Sequence, residues 1–219
     1  MFNTQRPTAA PASLALKRKY DGADVYESLR VIFFDKCYIC ESKDPHDINV
    51  EHFEAHETDN DKKFDWSNLY LACSRCNNIK GVEYNDILDC CDNNVDVFRA
   101  IRHVPPATPY AKKVHLVSTI ADDKAIKTCK LLEKVFNSEH TINKKISGGF
   151  LRRKIFERYN LLLDQINKYY SPVATHRDQE DAIERIKVLM LRSSPYSAFI
   201  RWCVLDDEVL GALLETEMD

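Results

Sequence analysis

The chain is short of glycine, with five in 219 residues, and no apolar run in it approaches the length of a bilayer span. Its first residues lack the apolar core of a secretory leader, so the expected location is the cytoplasm, with no membrane partner. Internal repeats and low-complexity stretches are also absent, which excludes a solenoid or a fibrous chain. Nor is there an excess of positive charge: the formal net charge is -3, so nucleic-acid binding cannot be read from the total. What is present is 44% hydrophobic and 30% charged residues. That balance describes a soluble, helix-rich globular protein, long enough for one large domain or a small module with a helical body.

Eight cysteines would suit a disulfide framework in a secreted chain, but four of them form two Cys-x-x-Cys pairs, Cys37 with Cys40 and Cys73 with Cys76. In a reducing compartment this spacing favours metal over a redox pair, and four thiolates make a closed tetrahedral zinc site of structural type. Such a site brings the two ends of the stretch from Cys37 to Lys80 side by side. Between the pairs lie Asn49-Val50-Glu51-His52 and Asp65-Trp66-Ser67-Asn68-Leu69, and Asn77 directly follows the last cysteine. Vicinal Cys90 and Cys91, like Cys129 and Cys203, read as packing residues.

Around this stretch, residues 1–13, with two prolines and no apolar periodicity, read as an arm. Residues 23–35 place Val25, Leu29, Ile32 and Phe33 near one helical face. A short strand ending at Asn49-Val50, a polar loop over 57–65, a second strand at Leu69, Leu71 and Ala72, and a helix over 74–82 stopped near Gly81 complete a small module. Residues 84–109 read as irregular. Beyond 120 the pattern turns helical: 121–136, with Ile126, Cys129, Leu132, Val135 and Phe136 on one face; 150–170, with Ile155, Tyr159, Leu162, Leu163 and Ile166; then 178–192 and 195–215, with Pro195 in a first helical turn. The expected fold is α+β and mainly α, divided into an arm (1–22), a zinc-stapled ββα module (23–84), an irregular connection (85–120) and a helical domain (121–219) suited to docking a partner. The module is acidic, with ten acids and six bases over 35–81, whereas 110–160 carries twelve bases and five acids. Lys112, Lys113, Lys144, Lys145, Arg152, Arg153, Lys154 and Arg158 are either a polyanion-binding region or solvated helix faces.

The ordered set Cys-x-x-Cys, Glu-His, Asn-Leu and Cys-x-x-Cys-Asn-x-x-Lys resembles the HNH nuclease module, the zinc-bearing branch of the ββα-metal nucleases. The wider pattern, CYICE, VEHF and DWSNLYLACSRCNNIKG followed by a helical tail, resembles the PtuB-type nuclease subunit of Septu anti-phage systems, including those attached to retrons; it departs at Ala55 and His56, where relatives tend to show proline and lysine. The resemblance implies a phosphodiester hydrolase working with a partner ATPase, and in a retron setting with a reverse transcriptase and its non-coding RNA/DNA. It makes His52 the general base, Glu51 and Asn77 ligands of a catalytic magnesium or manganese ion, and Asn68 the brace of the loop carrying the histidine. Histidine titrates near neutrality and hard oxygen ligands suit those ions, so the residue chemistry agrees. Arg75, Lys80 and His56 are candidates for phosphate contact, with exposed helix charges as the plainer alternative for the first two. DNA is the favoured substrate and RNA the alternative; a module that keeps its fold as a zinc-bound adaptor without catalysis is the competing class.

Overall fold

The computed structural model describes residues 1–139 and 146–218, and the fold is α+β, mainly α, with two small two-stranded sheets. Helix α1 (Ala23–Ile32) buries Val25, Leu29 and Ile32 and delivers the chain to the first cysteine pair. Strand β1 (Ile48–His52) pairs antiparallel with β2 (Leu69–Cys73), placing Glu51 opposite Tyr70 and His52 opposite Leu69. Helix α3 (Ser74–Lys80) follows β2 without a break and ends at Gly81, whose φ of +46° is easily reached only by a residue without a Cβ.

Between the strands, the segment expected to be a loop contains a helical turn, α2 (Asn60–Phe64). The Asp59 carboxylate caps it by accepting from the Asp61 and Lys62 amides, and none of its residues is buried. A helix without an apolar face leaves no periodicity to read. The region expected to be irregular also holds structure. A short helix, α4 (Val97–Ala100), leads into β3 (Ile101–Val104), which pairs with β4 (His115–Ser118). One inward position of that ladder is His103, 2% exposed, so apolar alternation was broken at the residue that would have shown it.

Four longer helices and a short one follow: α5 (Asp123–Asn137), α6 (Gly148–Tyr169), α7 (His176–Met190), α8 (Ser197–Leu205) and α9 (Glu208–Leu214). Ile126 faces solvent at 42% exposure, and α5 buries Ala125, Thr128 and Leu131 beside Cys129, Leu132, Val135 and Phe136. Pro195 lies before the helix it was expected to start, because Tyr196 takes the left-handed conformation at the cap of α8. Two apolar clusters result. One joins α1, the module, β3–β4, α5 and the start of α6; the other is built by Phe98, Leu162, Ile186, Met190, Ile200, Val204, Leu210 and Leu214. Helix α5 thus shares the module's core rather than opening a separate helical body. In the C-terminal pair Val204, Leu210 and Leu214 are buried, while Val209 and Leu213 are each 51% exposed.

The first residues are no free arm. Met1 and Phe2 are 1% exposed, and Thr4 N–H donates to the Cys90 carbonyl at 2.9 Å. The Met1 amine reaches Glu41 at 3.2 Å and His103 Nε2 at 2.9 Å, while Lys36 Nζ, fully buried, reaches the other Glu41 oxygen at 3.1 Å. Burial pushes the Glu41 carboxyl upward, but these two cations hold it well below the ordinary carboxylate range. Ser197 donates to the same carboxylate at 2.9 Å, tying α8 to the residue beside Cys40. Of the basic residues after 110, Arg152 is buried against the Phe136 and Ala111 carbonyls and Glu139, Lys154 pairs with Glu157, and Lys112, Lys113 and Arg153 are exposed. Lys144 and Lys145 lie outside the described residues. No helix among those described is long and apolar enough to cross a membrane.

Candidate active site and metal centre

The two cysteine pairs meet. Cys37 and Cys40 sit on a turn closed by Glu41 N–H donating to the Cys37 carbonyl, and this turn is fixed to β2 by Tyr38 N–H donating to the Leu71 carbonyl. Cys73 ends β2 at the N-cap of α3, and Cys76 lies in the first turn of that helix. All four are buried, and their sulfurs lie within 4.8 Å of one another, Cys40 and Cys73 at 4.0 Å. Sulfurs ~2.3 Å from a shared zinc in a tetrahedron stand about 3.8 Å apart, so donor type, number and spacing all fit that ion.

At the far end of β1, Glu51 and His52 point to opposite sides, as successive strand residues do. Glu51 turns inward and is 4% exposed. Tyr38 O–H donates to it at 2.5 Å, and Lys80 Nζ, from the last turn of α3, stands 3.6 Å away. Burial outweighs both partners and raises the Glu51 carboxyl to about 7; burial likewise lowers the Lys80 ammonium. Lys80 also donates to the His52 carbonyl at 3.0 Å, so one buried cation fixes both members of the Glu-His pair to α3.

His52 is half-buried at the strand end. Its Nε2 lies 3.0 Å from the Lys63 carbonyl in α2. A carbonyl can only accept, so Nε2 carries the proton of this bond and Nδ1 is left with the lone pair of a base. Burial lowers the imidazole below its ordinary value, which keeps it neutral at pH 7. The Tyr20 and His56 rings flank it at 4.6 Å and 4.5 Å, and His56 Nδ1 is buried without a hydrogen-bond partner. Asn68 locks the frame around the histidine: its Oδ1 accepts from Glu54 N–H at 2.7 Å, and its Nδ2 donates to the Glu54 and Lys62 carbonyls at 3.0 Å each. The residue after Lys62 supplies the carbonyl that fixes the His52 tautomer.

Asn77 lies three residues before Lys80, on the same side of α3, and is partly exposed; its carbonyl accepts from Gly81 N–H at 3.0 Å, and its side-chain amide has no hydrogen-bond partner among the described residues. A carboxylate on β1 and an amide oxygen on α3 are donors of the type a hard divalent ion takes. Asn77 is free to serve as it stands; Glu51 would first have to loosen its contact with Lys80.

Two expected phosphate contacts are placed elsewhere. Arg75 is 4% exposed, with Nη1 donating to the Val135 carbonyl at 2.6 Å and Nη2 to the Ser138 carbonyl at 2.8 Å, so its charge closes the C-terminus of α5. Lys80 is 2% exposed and spent on Glu51 and His52. Tyr38, Tyr20, Lys63 and Asn85, whose side chain accepts from Ala55 N–H at 3.0 Å, were not singled out in the sequence. Tyr38 lies inside the Cys-x-x-Cys turn, but no spacing rule gives its hydroxyl a partner thirteen residues on. A cavity of about 420 Å³ near Asn3, Asn94, Phe98 and Arg192 has none of these residues in its lining.

Residues 37–83 match the family model described as HNH endonuclease, and the match ends just beyond α3. No curated protein matches the chain. The chain therefore carries an HNH endonuclease domain, and its matched segment contains the four sulfurs together with Glu51, His52, Asn68 and Asn77.

Proposed function

We propose that this protein is a metal-dependent endonuclease that hydrolyses phosphodiester bonds in nucleic acid, DNA before RNA, as the effector of a cytoplasmic anti-phage complex with a partner ATPase of the Septu type. The observation that carries the nuclease reading is His52 within the matched segment: a neutral imidazole held by one nitrogen, with the other free to take a proton. In-line hydrolysis needs a base to deprotonate water, and His52 Nδ1 fills that role. The Lys63 carbonyl fixes the tautomer, and Asn68 holds the neighbouring Lys62 carbonyl. Lys80 orients the backbone of His52 and offsets part of the charge of Glu51. Glu51 and Asn77 would hold a magnesium or manganese ion, which when bound would supply positive charge at the phosphate and the leaving oxygen. The four cysteines would hold zinc as scaffold. His56, beside the base and carrying an unpartnered nitrogen, is the better placed of the three candidates for phosphate contact.

The defence setting rests on the wider sequence pattern. Its support in the structure is the acidic module, which argues for a partner that completes the nucleic-acid groove, and the half-exposed Val209 and Leu213. A retron reverse transcriptase with its RNA/DNA would be a further component of such a complex.

The test is cleavage of plasmid DNA and of total cellular RNA by the zinc-loaded protein, with and without a Septu-type partner ATPase, in magnesium and in EDTA, with His52→Ala alongside. Cutting that needs the divalent ion and vanishes in a folded, zinc-loaded His52→Ala is expected. A fully active variant removes His52 from the reaction, and no cutting even with partner and ATP favours the adaptor.

A further inference from the structure

The vicinal pair Cys90-Cys91 sits in surroundings unlike those of an inert packing thiol. Arg6 is clasped between the Trp66 and Tyr70 rings, 4.8 Å from each centroid, and donates to the Trp66 and Leu69 carbonyls at 2.8 Å. Its Nη2 also stands 3.7 Å from Cys91 Sγ. The Asp89 carboxylate accepts from Cys91 N–H at 2.7 Å and from the Tyr70 hydroxyl, which fixes the backbone that presents the sulfur. Cys90 is fully buried, whereas Cys91 is partly exposed.

Asp89, Cys90 and Cys91 bring a carboxylate and two sulfurs within 4.8 Å of one another, but a guanidinium fixed against one of them puts positive charge where a metal would bind. The arrangement suits an anionic sulfur instead. A hydrogen bond from Cys90 and the charge of Arg6 bring the Cys91 thiol down to about 7, whereas burial raises Cys129 to about 11 and Cys203 to about 12.

We propose that Cys91 is a reactive thiol open to oxidation by hydrogen peroxide, with Cys90 as its resolving partner. The Cys91 thiolate attacks one peroxide oxygen, the O–O bond breaks and hydroxide leaves, giving the sulfenic acid. The Cys90 thiol then attacks that sulfur, forming the vicinal disulfide and releasing water; the sulfurs lose two electrons and peroxide gains them. Oxidation takes the thiolate away from Arg6, the residue that fastens the N-terminal segment to β2.

The test uses the full zinc-loaded chain under native conditions. In limited alkylation with iodoacetamide, followed by peptide mass spectrometry, Cys91 should react first at pH 7, about tenfold faster than Cys129 or Cys203, with its pH midpoint below that of a free thiol. Peroxide should convert the Cys90–Cys91 peptide to a species two hydrogens lighter with the zinc content unchanged, and Cys90→Ser should accumulate a sulfenic acid trapped by dimedone. Cys91 labelled no faster than Cys129 and Cys203, or only after unfolding, overturns the proposal. So does peroxide that releases zinc while Cys91 stays reduced.

Discussion

Arg75 gives the sharpest contrast between a residue's appearance in sequence and its placement. Exposed on a short helix it would contact phosphate; buried, it donates to two carbonyls at the end of α5 and joins the HNH module to that helix. Arg75→Ala removes two charge-assisted hydrogen bonds and takes the Arg75 donor from the Val135 carbonyl, while the Ser138 carbonyl keeps the Gly148 N–H at 3.0 Å. Each such bond contributes about 1.5 kcal/mol or more, so the loss comes to about 3 kcal/mol, with a further amount from the alkyl stem. Arg75→Met keeps most of the stem and separates the two contributions; it should cost about 2 to 3 kcal/mol and the alanine variant about 1 more. For a chain of this size that is a fall in melting temperature of about 6 to 12 °C. Urea unfolding of the zinc-loaded protein measures it, with the slope against denaturant expected to be unchanged. Binding to duplex DNA over a salt series measures the alternative: a lost phosphate contact flattens the log-log slope by about 0.9, and a purely structural arginine leaves it as it was. An unchanged stability together with a flattened slope would refute the placement.

Zinc should be coupled to folding, so chelation, or Cys37→Ser or Cys73→Ser, lowers solubility and thermal stability, with metal content and circular dichroism followed together. Asn68→Ala breaks three hydrogen bonds around the histidine frame; cleavage should fall at least tenfold while zinc content is kept, and the acid limb of the pH–rate profile should shift as His52 loses its fixed tautomer. His103, held at about 3 by burial first and by the Met1 amine second, binds its proton more weakly folded than unfolded. The stability tied to its neutral form is therefore full above about pH 6.5 and is lost as pH falls from there toward 3, about 3 to 5 kcal/mol in all. Denaturant midpoints at pH 7.5, 6 and 5 should show the decline, and His103→Gln should flatten it; equal pH slopes in both proteins would count against it.

Local spacing was enough to locate most of the candidate site. Two Cys-x-x-Cys pairs announce four sulfur donors, Glu-His and the two asparagines stand at fixed offsets between and after them, and the apolar run of β2 and the helix α3 were legible, whereas the strand expected to end at Asn49-Val50 runs on as β1 to His52. The apolar face of α1 was legible from its helical period. Elements whose signal does not come from apolar periodicity escaped: α2 has no buried face, and β3 carries a histidine inward.

What the sequence by itself determined, then, is the candidate donor set and the histidine proposed as base, because these depend on residue type and on neighbours a few positions away. Only the tertiary structure decided how they are held. The carbonyl that sets the His52 tautomer, the Tyr38 and Lys80 groups that close on Glu51, the burial that moves Glu51 to about 7, and the assignment of Arg75 to α5 rather than to phosphate all arise between elements remote in the chain. Desolvation and hydrogen-bond geometry belong to the space between such elements, and no local pattern encodes them.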